Sequence, residues 1–194
     1  MKMNLPNKLT LLRVIMIPIF MVVMLFPILP ETWWRILGAA LFVFTSFTDF
    51  LDGFIARKFN LVTDFGKLMD PLADKLMVFG AMICLLVRYS EDKVFCIIFA
   101  WVIFILLLRE FAITGLRAMV SGSVSVAANW AGKVKTVSQI IFIVVVLLEP
   151  VVIEPLGTPH NLFTYITMAF MTFMTVFSGY NYVKAYLPHL SKEM

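Results

Sequence analysis

The sequence predicts an all-α integral membrane protein of six transmembrane helices with a polar cavity open to the cytosol. Three observations carry that prediction. The 194 residues are 61% hydrophobic with a mean hydropathy of +0.95, whereas a soluble domain is about half apolar. Nearly charge-free runs recur, from Val14 to Pro30, Ile36 to Thr48, Leu76 to Val87, Val94 to Leu108, Thr136 to Leu148 and Asn161 to Val183. Several of these are shorter than the roughly 20 residues that cross a bilayer, so each borrows a charged end. No repeat or low-complexity segment divides the chain, and residues 1–194 read as a single transmembrane domain.

Six helices follow at about 9–30, 34–58, 65–88, 93–120, 131–150 and 161–186. The first begins in "MKMNLPNKLT", which has the basic start of a signal peptide. Its apolar stretch is too long and no small-x-small cleavage site follows, so it is expected to be retained. Lys2, Lys8 and Arg13 are then expected at headgroup level. Turn and charge signals separate the later helices: "FPILPET", "ARKFNLVTD", "RYSEDK", "SGSVSVAAN" and "EPVVIEPLGTPH". Asp64 is expected to cap the third helix, and Pro71 is placed to kink it. Cys84 and Cys96 lie in apolar runs without metal-ligand spacing and read as packing residues.

Basic residues set the orientation. With an even helix count, one side collects thirteen, among them Lys8, Arg13, Arg57, Lys75, Arg109, Arg117, Lys133 and Lys135, and the other only Arg35, Arg88 and Lys93. The N- and C-termini are therefore expected in the cytoplasm, with the basic face toward anionic lipid and solutes. Helices 2 and 4 become charged at their ends, helices 3 and 5 at their starts. Every charged half thus lies toward the cytosol, which outlines the cavity.

The stretch "DFLDGFIARKFNLVTDFGKLMDPLADK" then demands explanation. An ionised Asp at the bilayer centre costs roughly 2.5–3.5 kcal/mol on insertion scales. Asp49 and Asp52, three apart, share a helix face, as do Asp70 and Asp74, four apart. Helices 2 and 3 are antiparallel neighbours, so the four carboxylates converge and repel unless cations join them. Oxygen-only donors suit Mg²⁺, Mn²⁺ or Ca²⁺, and four carboxylates suffice for two ions. Local pairing of Asp70 with Lys67 and of Asp74 with Lys75 is the plainer alternative. Gly53, Ala56 and Gly66 admit either a flat ligand or another helix close to the backbone.

Asp49-x2-Asp52-Gly53-x2-Ala56-Arg57-x8-Gly66-x3-Asp70-x3-Asp74 resembles the signature of the CDP-alcohol phosphatidyltransferases, at all eight positions. "NLPNKLTLLR", "REFAITGLR" and "AGKVKT" are similar to the branch of that family whose acceptor is glycerol 3-phosphate. The resemblance implies a membrane enzyme that transfers a phosphatidyl group from CDP-diacylglycerol to glycerol 3-phosphate and releases CMP. It implies two divalent cations, Mg²⁺ or Mn²⁺, on Asp49, Asp52, Asp70 and Asp74, with Asp74 also the general base. It implies CDP-diacylglycerol binding by Asn7, Asp49, Asp52, Gly53, Ala56, Arg57 and Gly66, and a homodimer in the cell membrane; no nucleic acid is expected.

The basic residues support the acceptor on their own. Arg109 and Arg117 lie about 80° apart on helix 4. Lys133 and Lys135, two apart, point to different faces, so one is expected in the cavity and the other snorkelling to headgroups. Together they suit a small phosphate. Glu110 is expected to bridge locally to a neighbour and is assigned no role. A same-family enzyme with serine or inositol phosphate as acceptor is the alternative; serine would leave the cationic pocket without a purpose. A divalent-cation transporter would need polar residues through the full membrane depth, and the outer halves of helices 2 to 5 are apolar.

Overall fold

The computed structural model describes residues 5–26, 29–59, 63–120 and 130–190. Lys2 and the side chains of Asp52, Ala56, Arg57 and Lys67 lie outside the described residues, so the expectations placed on them do too. The described residues form six α-helices: α1 (Leu5–Leu25), α2 (Glu31–Lys58), α3 (Asp64–Arg88), α4 (Lys93–Val120), α5 (Trp130–Leu148) and α6 (Leu162–Leu190). Four of them, α1, α4, α5 and α6, are long and apolar enough to cross a membrane. In lipid only internal hydrogen bonding satisfies the backbone, which makes the helix the stable form of such runs. α1 ends at Leu25 rather than near residue 30, and α3 runs on through Pro71.

Short-range chemistry sets the helix starts. Thr63 caps α3, its hydroxyl accepting from the Gly66 amide at 3.1 Å; Asp64 is the first helical residue rather than the cap. Asp92 accepts from the Phe95 amide at 3.0 Å and starts α4. Between α5 and α6 the chain makes a π-turn (Glu149–Ile153) and a 3₁₀ turn (Glu154–Leu156). The fully buried Glu149 accepts from the amides of Phe163 at 2.8 Å and Thr164 at 2.7 Å. It thereby satisfies two of the orphan donors at the start of α6.

α1 packs on α2 and α3, α6 on α4 and α5, and an α2–α5 contact joins the two groups. The core runs along these seams. Phe95, Phe99 and Phe142 follow one another with tilted rings at centroid distances of 5.2 and 5.3 Å, in one core with buried Met82, Leu85 and Leu106. The outward faces stay apolar, with Trp101 65% and Phe173 64% exposed, as suits a lipid-facing surface. At the end away from the aspartates, Arg35 and Arg88 both lie over the Trp34 ring, at 4.6 and 4.7 Å. Arg35 donates to Glu31 and to the Tyr89 hydroxyl; Arg88 donates to the Met24 carbonyl. Cys84 is buried and Cys96 half-buried, both free, consistent with packing.

Candidate active site

Asp49 stands near the end of α2 and Asp74 in the first half of α3. The antiparallel course of the two helices brings both to one cavity of about 590 Å³. Ser46, Arg109, Glu110, Arg117, Lys133, Lys135 and Tyr182 also line it. A second cavity of about 290 Å³, between α3 and α4, shares Asp74, Arg109, Glu110 and Arg117. Helix 4 therefore carries its basic residues to the carboxylates, as the sequence suggested.

α1 packs against the aspartate side of this site; the sequence placed Asn7 there by resemblance but not Thr10 or Arg13. Asn7, Thr10 and Arg13 recur every three residues and lie along one face. Arg13 is fully buried, and its Nη1 lies 2.6 Å from Asp49 Oδ1. Its guanidinium turns into the protein, where the carboxylate holds it, rather than out toward lipid. Thr10 donates to Asp70 Oδ1 at 2.6 Å. Asn7 Oδ1 accepts from the Thr63 hydroxyl at 2.8 Å. A Cβ on Gly66 would lie 3.3 Å from Thr63 Oγ1, 3.4 Å from Asn7 Oδ1 and 3.6 Å from Asp70 Oδ2. Gly66 thus lets α1, the α3 cap and Asp70 draw together. Gly53 is half-buried on α2. Lys75 donates to Thr114 at 3.0 Å and so bridges α3 to α4.

The cationic side is built by α4, α5 and α6. Arg109 donates through Nη1 to Glu110 at 2.9 Å and through Nη2 to Ser178 at 2.8 Å. Its Cζ lies 5.5 Å from the centre of the Tyr182 ring, and that of Arg117 lies 5.1 Å from the same ring. Lys135 is buried and donates to Glu110. Lys133 is exposed but lines the same cavity. Both lysines thus line the cavity, contrary to the expectation that one would turn away to the headgroups, because the cavity extends round the start of α5; they differ in burial alone. Glu110 makes the local bridge expected of it and a second, unforeseen one to Lys135. Ser178 and Tyr182 are further residues the sequence did not single out; their four-residue spacing on one helix was the available signal.

The carboxylate side suits hard divalent cations by donor chemistry. Asp49 and Asp74 present oxygen alone to a shared cavity. Among the described residues, no three His, Cys, Asp or Glu side chains are grouped closely enough to hold a metal ion. Two carboxylates at one cavity remain a fitting anchor, with Thr10 and Arg13 holding the oxygens of Asp70 and Asp49 in place.

Comparison with known proteins agrees with the signature. The family model described as CDP-alcohol phosphatidyltransferase matches residues 3–178. A CDP-diacylglycerol–glycerol-3-phosphate 3-phosphatidyltransferase of Bacillus subtilis (strain 168) is 43% identical over 192 residues, covering 92% of this chain and 93% of the relative. Relatives of the same name from Rickettsia typhi and Yersinia pestis (strain Pestoides F) are 38% and 34% identical, covering 94% and 95% of this chain and 96% of each relative. A family match that spans most of the sequence, with relatives aligned nearly end to end, establishes that this chain belongs to the CDP-alcohol phosphatidyltransferase family.

Proposed function

We propose that this protein transfers the phosphatidyl group of CDP-diacylglycerol to glycerol 3-phosphate, giving phosphatidylglycerophosphate and CMP. The observation that carries this reading is a single cavity with Asp49 and Asp74 on one side and Arg109, Arg117, Lys133 and Lys135 on the other. Carboxylates suit a metal-bound diphosphate; the basic residues suit the phosphate of an anionic acceptor. The relatives' names point to the same two substrates.

Asp49, Asp52, Asp70 and Asp74 would hold two divalent cations, Mg²⁺ or Mn²⁺, whose chemistry is to offset charge on the diphosphate and on departing CMP. Asn7, Gly53, Ala56, Arg57 and Gly66 seat the CDP group, with the small residues allowing close approach. Arg109, Arg117, Lys133 and Lys135 hold the acceptor phosphate and thereby orient its hydroxyl. Asp74, at the junction of both cavities, takes the hydroxyl proton. The oxygen then bonds to the phosphorus that carries diacylglycerol, and the bond from that phosphorus to CMP breaks. The acyl chains remain in lipid.

The surrounding architecture is a six-span homodimer in the cell membrane with cytoplasmic termini and a cytosolic site. The thirteen-to-three distribution of basic residues supports the orientation. α2 and α3, at 28 and 25 residues, have the length to cross with their charged ends inside the cavity. All 194 residues then serve one catalytic domain. The test is CMP release by the purified protein with glycerol 3-phosphate, serine or inositol phosphate in turn. Glycerol 3-phosphate is expected to drive release; preference for either other alcohol would overturn the acceptor assignment.

A further inference from the structure

Among the described residues that line the cavity, Glu110 is the one carboxylate that the mechanism above does not use. Its side chain is 13% exposed, and its Oε1 is within ion-pair distance of both Arg109 Nη1 and Lys135 Nζ. Those two donors are the least exposed of the acceptor pocket, with side-chain exposures of 12% for Arg109 and 8% for Lys135. Glu110 therefore occupies the donors that the acceptor phosphate needs.

We propose that Glu110 is a resident counter-anion, which keeps the empty pocket assembled and gives up Arg109 and Lys135 to the incoming phosphate. This inference rests on the acceptor reading above and deepens it. Two buried cations side by side repel strongly in a medium of low dielectric, so an empty pocket without a carboxylate would splay or lose a proton. Arg109 is anchored independently by Ser178 and by the Tyr182 ring, so the exchange moves Glu110 and leaves Arg109 in place. A carboxylate carries one charge, whereas a phosphate monoester carries nearly two and offers three acceptor oxygens. Only an anion stronger than a carboxylate displaces Glu110 readily. The residue thereby acts as a positioning and specificity-determining group that favours phosphate dianions over weaker anions.

The test uses the full chain in mixed micelles with Mg²⁺. Glu110→Gln keeps the shape and one acceptor oxygen but removes the charge; Glu110→Asp keeps the charge. For Glu110→Gln, the KM for glycerol 3-phosphate is expected to fall roughly tenfold, with kcat no higher than wild type. Formate, which carries a single charge, is expected to compete with glycerol 3-phosphate in this variant, whereas wild type and Glu110→Asp yield to inorganic phosphate and not to formate. If Glu110→Gln is too unstable to assay, inorganic phosphate should raise its unfolding temperature more than that of wild type. An unchanged or raised KM with unchanged anion selectivity, or an equal phosphate shift in both proteins, overturns the proposal. Wild-type use of a different acceptor alcohol would sink the acceptor reading instead, and the inorganic phosphate shifts would still decide the role of Glu110.

Discussion

A methyl group on Gly179 would lie 3.1 Å from Cγ of Arg109 and 3.9 Å from its Nε. Carbon atoms pack at about 3.5–4.0 Å, so Gly179→Ala pushes the arginine stem away by roughly 0.5 Å. The head cannot follow freely, because Nη2 is 2.8 Å from Ser178 and Nη1 is 2.9 Å from Glu110. A displacement of that size carries the Ser178 bond, which keeps Arg109 in place when Glu110 lets go, past the ordinary limit of about 3.2 Å. The loss is about 1 kcal/mol, or roughly a fivefold change in affinity. Global stability should hardly move, because alanine favours a helix over glycine by about 1 kcal/mol, offsetting overpacking of about the same size. The assay is CMP release at saturating CDP-diacylglycerol across a glycerol 3-phosphate titration, with thermal unfolding in parallel. The expected result is a glycerol 3-phosphate KM about five times higher, with the CDP-diacylglycerol KM and the unfolding temperature unchanged. An unaltered glycerol 3-phosphate KM, or equal rises in both KM values, would refute the argument that the position of Arg109 sets acceptor binding.

Other perturbations separate the remaining parts. Asp74→Asn should retain divalent-ion and CDP-diacylglycerol binding while turnover drops by about 10²–10⁴; normal turnover removes Asp74 as the base. Thorough chelation should abolish CMP release and added Mg²⁺ or Mn²⁺ restore it, so activity that persists in chelator contradicts the carboxylate assignment. Glu149→Gln replaces one oxygen beneath two buried amides with an NH₂ group and should cost about 1–3 kcal/mol, read as a lower unfolding temperature. Activity per folded molecule should stay level, since Glu149 lies at the far end from the cavity.

Much of this was legible in the residues. The bounds of α2, α3, α4 and α5 fall within three residues of those set by charge and turn signals, because a switch from apolar to charged coincides there with the end of a span. Asp49 and Asp74, which share the cavity, stood out for a related reason: an aspartate in an apolar helix has no inexpensive explanation. Arg13 was not, since a basic residue at the head of an apolar helix looks identical whether it anchors to headgroups or turns inward to Asp49. Glu110 was legible only as a neighbour of Arg109, because its second partner, Lys135, is 25 residues away on another helix. The π-turn after α5 has no periodic signature; Glu149 there is buried because the start of α6 needs an acceptor, a requirement visible only in three dimensions.

The clasp made by Glu149 has a mechanical consequence. It ties the far ends of α5 and α6 together, while their other ends carry Lys133 and Lys135 on one limb and Ser178 and Tyr182 on the other. Packing of Gly132 against Tyr182 meets the two helices again at that other end, so α5 and α6 are held at both tips and the cations of α5 keep a set spacing from the Tyr182 ring.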